Sequence, residues 1–325
     1  MTTPTGTISL QNVEDEFGGT GAISLSEYYA LGAGVPSSGA ISMNNLRGKQ
    51  FLVLETLTSS QTWTPKANLA TYIHIFCFGA GGSGGSSEPD TSSGLFNPAG
   101  NCSASGGAAG GYSYSKIAAG AAGSTTVVIG VGGAGVQSSY NHHLVGNDGT
   151  ATTFTGSSLT MSCAGGQGGR ASETSNTGTD SNFSAGAIGG AGSGGNALNK
   201  TGGNSGSAHS NHSGTEASSA SGGGCPVIDN KSGTSANTGN SQASDGAKVS
   251  DNGTWPTYLS TYQLGRSQAA VLSAANTTLD ATAGSVTGNS LDATFGAGSG
   301  GAARGTHTSG SGGNGVVFIV YEIEG

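Results

Sequence analysis

The chain has 325 residues, and 63 of them are glycine, against an average share of about 7%. Charged residues make up 9% and only 7 prolines are present. This excludes a charge-driven disordered chain and a collagen helix, which needs glycine at every third position with abundant proline. The formal net charge of −8 rests on 10 basic residues spread over the whole length, too few to track a phosphate backbone, so nucleic acid is not expected as a partner.

Taken in order, the chain opens on Met-Thr-Thr-Pro-Thr-Gly. This stretch has neither a basic region nor an apolar one, and no secretion signal is expected. A short repeat follows at residues 6–13, 21–28 and 39–46. In each copy an extended apolar pair meets a serine able to cap a short helix, and Ser24 with Glu27 has capping-box spacing. Gly18, Gly32 and Gly48 stand where such helices stop. Helices this short bury little by themselves, so residues 1–50 are expected to form a docking module, helical or irregular, whose core comes from a partner. Its docking side chains are Ile8, Leu10, Ile23, Leu25, Ile41, Met43 and Leu46. A small independent helical cap is the alternative.

From Phe51 the pattern changes to β-branched and aromatic residues. Strands are expected at 51–58, 71–78, 111–117, 125–131, 150–155, 159–163 and 316–323. In the second, Ile73, Ile75 and Cys77 face one way and Tyr72, His74, Phe76 and Phe78 the other. Both faces are largely apolar, as in the core strand of a sandwich. A strong final strand implies that the sheet closes there. The expected fold is mainly β: the docking module, then a domain over 51–325 whose sandwich strands lie at about 51–163 and 314–324. The stretch of about 164–313 is expected to be an excursion out of the sandwich.

Glycine tracts alternate with polar loops in that excursion. Gly79, Gly82 and Gly85 show a three-residue period, and Gly186, Gly189, Gly192 and Gly195 repeat it. Three is the period of polyproline II, which glycine adopts as packed, hydrogen-bonded helices. The insertions are therefore expected to be partly of this polyglycine II type; whether they form a complete bundle is open, because alanine and serine hold many tract positions. The longest apolar run, 316–321, is too short to span a bilayer, so no membrane insertion is expected. Cys77, Cys102, Cys163 and Cys225 show no paired spacing and are read as thiols.

The repeated units ending in Ala-Ile-Ser-Met-Asn-Asn-Leu-Arg-Gly-Lys at 40–49 resemble the N-terminal attachment segment of many phage tail-fibre proteins. Thr-Trp-Thr-Pro-Lys-Ala at 62–67, the apolar strand from Ile73 and the glycine run to Gly85 resemble the opening of the phage glycine-rich domain. The closing glycine tract and strand at 310–322 match the end of that domain. Distal adhesins of T-even-type phages, which carry variable loops on glycine tracts, are broadly similar. The resemblance implies a virion tail protein, made in the host cytoplasm and extracellular after release. Its implied partners are phage tail or baseplate proteins through 1–50 and a host surface glycan or outer-membrane protein, with a homotrimer one candidate assembly. A secreted glycine-rich polysaccharide- or ice-binding protein is the alternative.

No enzymatic constellation stands out. Gly79–Gly85 has no following Lys-Ser/Thr and no βαβ setting for a phosphate. His142–His143 and His209 with His212 lack a carboxylate or cysteine at ligand spacing, so neither a metal nor a cofactor is expected. Trp255, Tyr258 and Tyr262 fall within eight residues in a polar stretch. With His209 and His212 they are the receptor-contact candidates, since rings stack on sugar faces; a mini-core tying the stretch to the sandwich is the other reading. Specificity is expected in the loops 86–105, 136–148, 170–184, 207–221 and 225–295, not in the tracts.

Overall fold

The structure is a computed structural model. It describes residues 40–42, 52–65, 72–88, 102–139, 143–173, 182–210, 218–224, 233, 235–237, 242–244, 282–285, 289–293, 295–303 and 307–322. Of the expected docking module, only Ala40, Ile41 and Ser42 fall among these, in no regular element. The rest of 1–50 lies outside the described residues.

The described chain is a sequence of strand, glycine tract and strand. It enters at β1 (Leu52–Leu57), crosses to β2 (Gln61–Trp63) and returns in β3 (Tyr72–Phe78). Tract 79–85 carries it outward to β4 (Ser86–Ser87); β5 (Cys102–Ala104) and tract 105–111 bring it back to β6 (Tyr112–Ala118). The excursion recurs from β7 (Thr125–Val128) out to β8 (His143–Leu144) and back to β9 (Thr152–Thr155). It recurs from β10 (Thr160–Cys163) through β11 (Ala171–Glu173) and β12 (Asn182–Ser184) back to β13 (Gly192–Ser193). β14 (Leu198–Lys200) then leads out to β15 (Ala208–Ser210). β16 (Ser218–Ala220), β17 (Ala236–Asn237), β18 (Gln242–Ala243) and β19 (Ala302–Ala303) follow at the outer end, and β20 (Val316–Glu322) closes the chain's path in the first sheet.

Two five-stranded sheets form the sandwich, in the orders β1-β20-β3-β6-β14 and β13-β10-β9-β7-β2. β20 lies between β1 and β3, antiparallel to both, with Ile319 opposite Ile75 and Phe318 opposite Phe76. The two strands of highest apolar content thus meet along their whole length, which is how each satisfies its backbone groups on that edge. Between the sheets, Ile73, Ile75, Cys77, Val317, Ile319 and Tyr321 pack on Trp63, Val127, Phe154, Met161 and Cys163. Trp63 is tilted against Phe154 at 5.5 Å, and its indole N–H donates to Glu55 Oε2 at 2.8 Å, which also accepts from Tyr321 Oη at 2.9 Å. On the other face of β3, His74, Phe76 and Phe78 are buried too. Phe76 stacks on Tyr114 and Phe78 on Tyr112, at 4.8 and 4.7 Å.

The stretch of about 164–313, expected from the sequence to be an excursion out of the sandwich, returns to it twice. β13 pairs with β10, and β14 pairs with β6, so each sheet gains an edge strand from this region. These strands are two and three residues long and contain Gly192, Asn199 and Lys200, so they carry no alternating apolar pattern to read.

The glycine tracts pack side by side as polyglycine II. A helix with three residues per turn points its N–H groups in three directions, 120° apart. From the tract 79–85, Gly79, Gly82 and Gly85 donate to Gly111, Ala108 and Ser105. Ala80 and Ser83 donate to Thr150 and Asn147; Gly81 and Gly84 donate to Gly313 and Gly310. The partner number falls as the donor number rises, so these three neighbours run antiparallel. In return, Gly166 and Gly169 donate to Ala80 and Ser83, and Ser299 and Ala302 to Gly82 and Gly85, both in parallel sense. Gly133 donates to Gly81. One tract therefore sits inside a ring of six others, as in a hexagonal lattice of helices.

Glycine is required there by closeness and not by backbone angle. Among the described glycines only Gly194 and Gly296 have positive φ. A Cβ on Gly79, Gly82 or Gly85 would meet the carbonyls of Ala164, Gln167 and Arg170 closer than 3.0 Å, and one on Gly81 or Gly84 those of Ala297 and Gly300. Two ridges of the tract are thus glycine. The third holds Ala80, Ser83 and Ser86, all buried, which is where the alanines and serines of the tracts belong. Serine adds acceptors as well as small size: Ser299 Oγ accepts from Gly84 N–H and Ser205 Oγ from Ala187 N–H, both at 2.7 Å. At the rim of the bundle asparagine and aspartate do the same, as when Asn204 Oδ1 accepts from Gly189 N–H at 2.9 Å and Asp148 Oδ1 from Gly168 N–H at 2.7 Å.

Candidate functional site: the outer end of the bundle

At the end of the tracts away from the sandwich, three small sheets form: β11-β5-β16-β18, β12-β15-β17 and β19-β4-β8. Their core is made of the smallest side chains. Cys102, Ala104, Ala220 and Ala303 cluster there, fully buried. Ser103 and Ser184 are buried and hydrogen-bonded through their hydroxyls at 2.8 Å, and the hydroxyls of Ser86 and Ser138 lie 3.0 Å apart. The strands are short because each interrupts a glycine tract for only two or three residues.

The described residues that flank 89–101, 140–142, 174–181, 211–217 and 304–306 all stand at this end, each pair an outgoing and a returning segment. The polar loops expected at 86–105, 136–148, 170–184 and 207–221 therefore have their described ends in or beside the small sheets, and their central residues lie outside the described ones. The stretch 225–295 is different. It is not one loop, because residues 233, 235–237, 242–244, 282–285 and 289–293 join the bundle. Gly233 donates to Asn204, Ser244 to Ala220 and Gly284 to Ser244. β18 runs parallel to β16, whose own continuation leads back towards the sandwich, so the chain enters 245–281 heading away from the outer end.

Of the receptor-contact candidates, His209 is described. It lies half-buried in β15, opposite Phe183 of β12 and beside Asn237 of β17. Trp255, Tyr258, Tyr262 and His212 lie outside the described residues, as do Ile8, Leu10, Ile23, Leu25, Met43 and Leu46 of the docking set. Ile41 is described and half-buried. The outer end also holds His143, exposed in β8 opposite Ser87, and His307, whose carbonyl accepts from Ser86 Oγ at 2.8 Å. Glu88, directly after β4, is buried, and its Oε2 has no hydrogen-bond partner. Among the described residues no group of histidines, cysteines and carboxylates could hold a metal ion, and no helix is long and apolar enough to cross a membrane. Cys77, Cys102 and Cys163 are free thiols, all buried.

What the sequence conceals is the role of the serines and asparagines. They read as polar filler, and the structure uses their side-chain oxygens to accept N–H groups from an adjacent tract alongside the backbone carbonyls. Their signal is positional: they stand in register with glycines of an adjacent tract, and that adjacency is not local in sequence.

A family model described as a glycine-rich domain matches residues 55–322. The match begins in β1 and ends with β20, so it spans the sandwich, the bundle and the small sheets together. No match is found among curated proteins. With most of its length covered by that one domain, the chain belongs to the glycine-rich domain family.

Proposed function

We propose that this chain is a structural virion protein, a phage tail-fibre adhesin that binds the host surface through polar loops on a glycine-rich scaffold. The observation that supports this reading is polarity. The chain enters at Leu52, which pairs with Glu322 at the end of the sandwich farthest from the bundle. The short strands that flank the polar connections stand at the other end. A seven-residue strand and a seven-residue tract in series separate the two ends by roughly 45 Å. Residues 1–50 dock to tail or baseplate proteins at one end, and the loops reach a surface glycan or outer-membrane protein at the other. Serine, threonine, asparagine and histidine in the loops supply adaptable hydrogen bonds, on a scaffold that holds their ends fixed. The role is binding, with no catalysis assigned.

The test is adsorption. Purified 51–325 should bind host cells, block infection by the parent phage and release no reducing sugar. Failure to bind any strain that the phage infects, or release of sugar on incubation, would overturn the reading.

A further inference from the structure

Two thiols meet where the sandwich becomes the bundle. Cys77 is the penultimate residue of β3 in the first sheet, and Cys163 is the last residue of β10 in the second. Both are fully buried. Cys163 Sγ donates to the Cys77 carbonyl at 3.1 Å, and Cys77 Sγ to the Thr152 carbonyl at 3.7 Å. Cys163 is also the group that acts most strongly on the Cys77 thiol.

A disulfide needs Cα atoms roughly 4.4–6.8 Å apart, closer than the mean spacing of about 10 Å between the sheets of a sandwich, so it forms where the two strands come locally together. At this level the sheets converge. β3 and β10 continue directly into neighbouring tracts, and a Cβ on Gly79 would already meet the backbone carbonyls of Cys163 and Ala164 closer than 3.0 Å. At the neck the two cysteines thus stand on strands whose backbones approach closely, with the Cys163 sulfur against the Cys77 backbone. Cys102, in the small outer sheets, is buried with alanines instead.

We propose that Cys77 and Cys163 are a redox pair, which oxidises to a disulfide joining the two sheets at this neck. Two S–H bonds break and one S–S bond forms. The two electrons and two protons pass to a disulfide oxidant such as oxidised glutathione, whose own S–S bond is cleaved to two thiols. In a reducing cytosol the pair stays a dithiol; in an oxidising exterior it becomes a staple closing a span of 86 residues. Burial makes the exchange slow once the core has closed. The thiolate is the attacking species, and the Cys163 hydrogen bond, then burial, hold the Cys77 thiol protonated well above its ordinary range.

The experiment is refolding of the full chain from urea in glutathione buffers poised from reducing to oxidising, followed by acid quench, alkylation and peptide mapping. In the oxidising buffers one cross-linked peptide pair, Cys77 with Cys163, should dominate, with Cys102 and Cys225 still alkylated. The oxidised chain should melt on the order of 10 °C higher than the reduced one. Dithiothreitol should remove the difference, and Cys77→Ser and Cys163→Ser should never show it. Cys77 and Cys163 both alkylated in the folded product of the most oxidising buffer would overturn the proposal. So would cross-links scattered among the four cysteines. The peptide map of the unmutated chain decides the matter even if a serine variant does not fold.

Discussion

At Gly189 a Cβ would lie within 3.0 Å of the Gly202 backbone, whereas at Gly120 nothing stands within 4 Å. The same residue type therefore has opposite tolerance at two places. Gly189→Val should cost several kcal/mol, because the side chain must push a neighbouring tract away and break its hydrogen bonds. Gly120→Ala should change stability by less than about 1 kcal/mol. Urea melts of the two variants check the contrast, and a Gly189→Val protein as stable as the parent would count against close tract packing. A second residue-scale expectation concerns pH. The Cys77 thiol is raised above its ordinary value of 9.0 in the folded chain. Between that value and the folded one, the unfolded chain has lost a proton that the folded chain keeps, so stability falls as pH rises. Under reductant, Cys77→Ser should lose less stability than the parent between about pH 8 and 10.5; equal losses would show that the thiol contributes nothing. The period-three glycines were legible in sequence, but which of them touches a carbonyl was not, since that depends on a tract far away in the chain.

Strands in the sandwich are legible wherever they are long and apolar. Those expected at 71–78 and 316–323 occur as Tyr72–Phe78 and Val316–Glu322, because alternating aromatic and β-branched side chains fix both extension and facing. β2 escapes notice with its three residues, although its Trp63 is 4% exposed and anchors the core. A strand this short is defined by its partner, β7, and not by its own pattern. The position of β20 between β1 and β3 sharpens an element-scale prediction. A chain ending at Ser311 removes the middle of a sheet and leaves two strands with unpaired edges. It should be insoluble, or melt far below the parent; a soluble, heat-resistant product would contradict the observed order. Trp63→Ala should cost about 3–5 kcal/mol, since it empties the space against Phe154 and leaves Glu55 with one fewer donor. Chemical denaturation measures it directly.

For the whole molecule, scaffold and loops should be separable. Exchanging the connections 89–101, 140–142, 174–181, 211–217 and 304–306 for those of a related phage should change host range while the melting temperature stays within a few degrees. Host range unchanged after all five exchanges would refute loop-borne specificity. Deleting 1–50 should abolish incorporation into particles and leave binding by the free domain intact; full occupancy without it would refute the docking role. The sequence by itself determined that the chain is mainly β, where the main sandwich strands run, and that its glycines repeat by three, because period-two and period-three patterns are local and each is written in consecutive residues. Only the tertiary structure decided which tracts are neighbours, that one tract is ringed by six, that β13 and β14 return to the sandwich, and that the short strands flanking the polar connections gather at one end. The physical reason is that glycine tracts bond to one another through backbone alone. One tract looks like the next, and their addresses are set by the strands that each one joins.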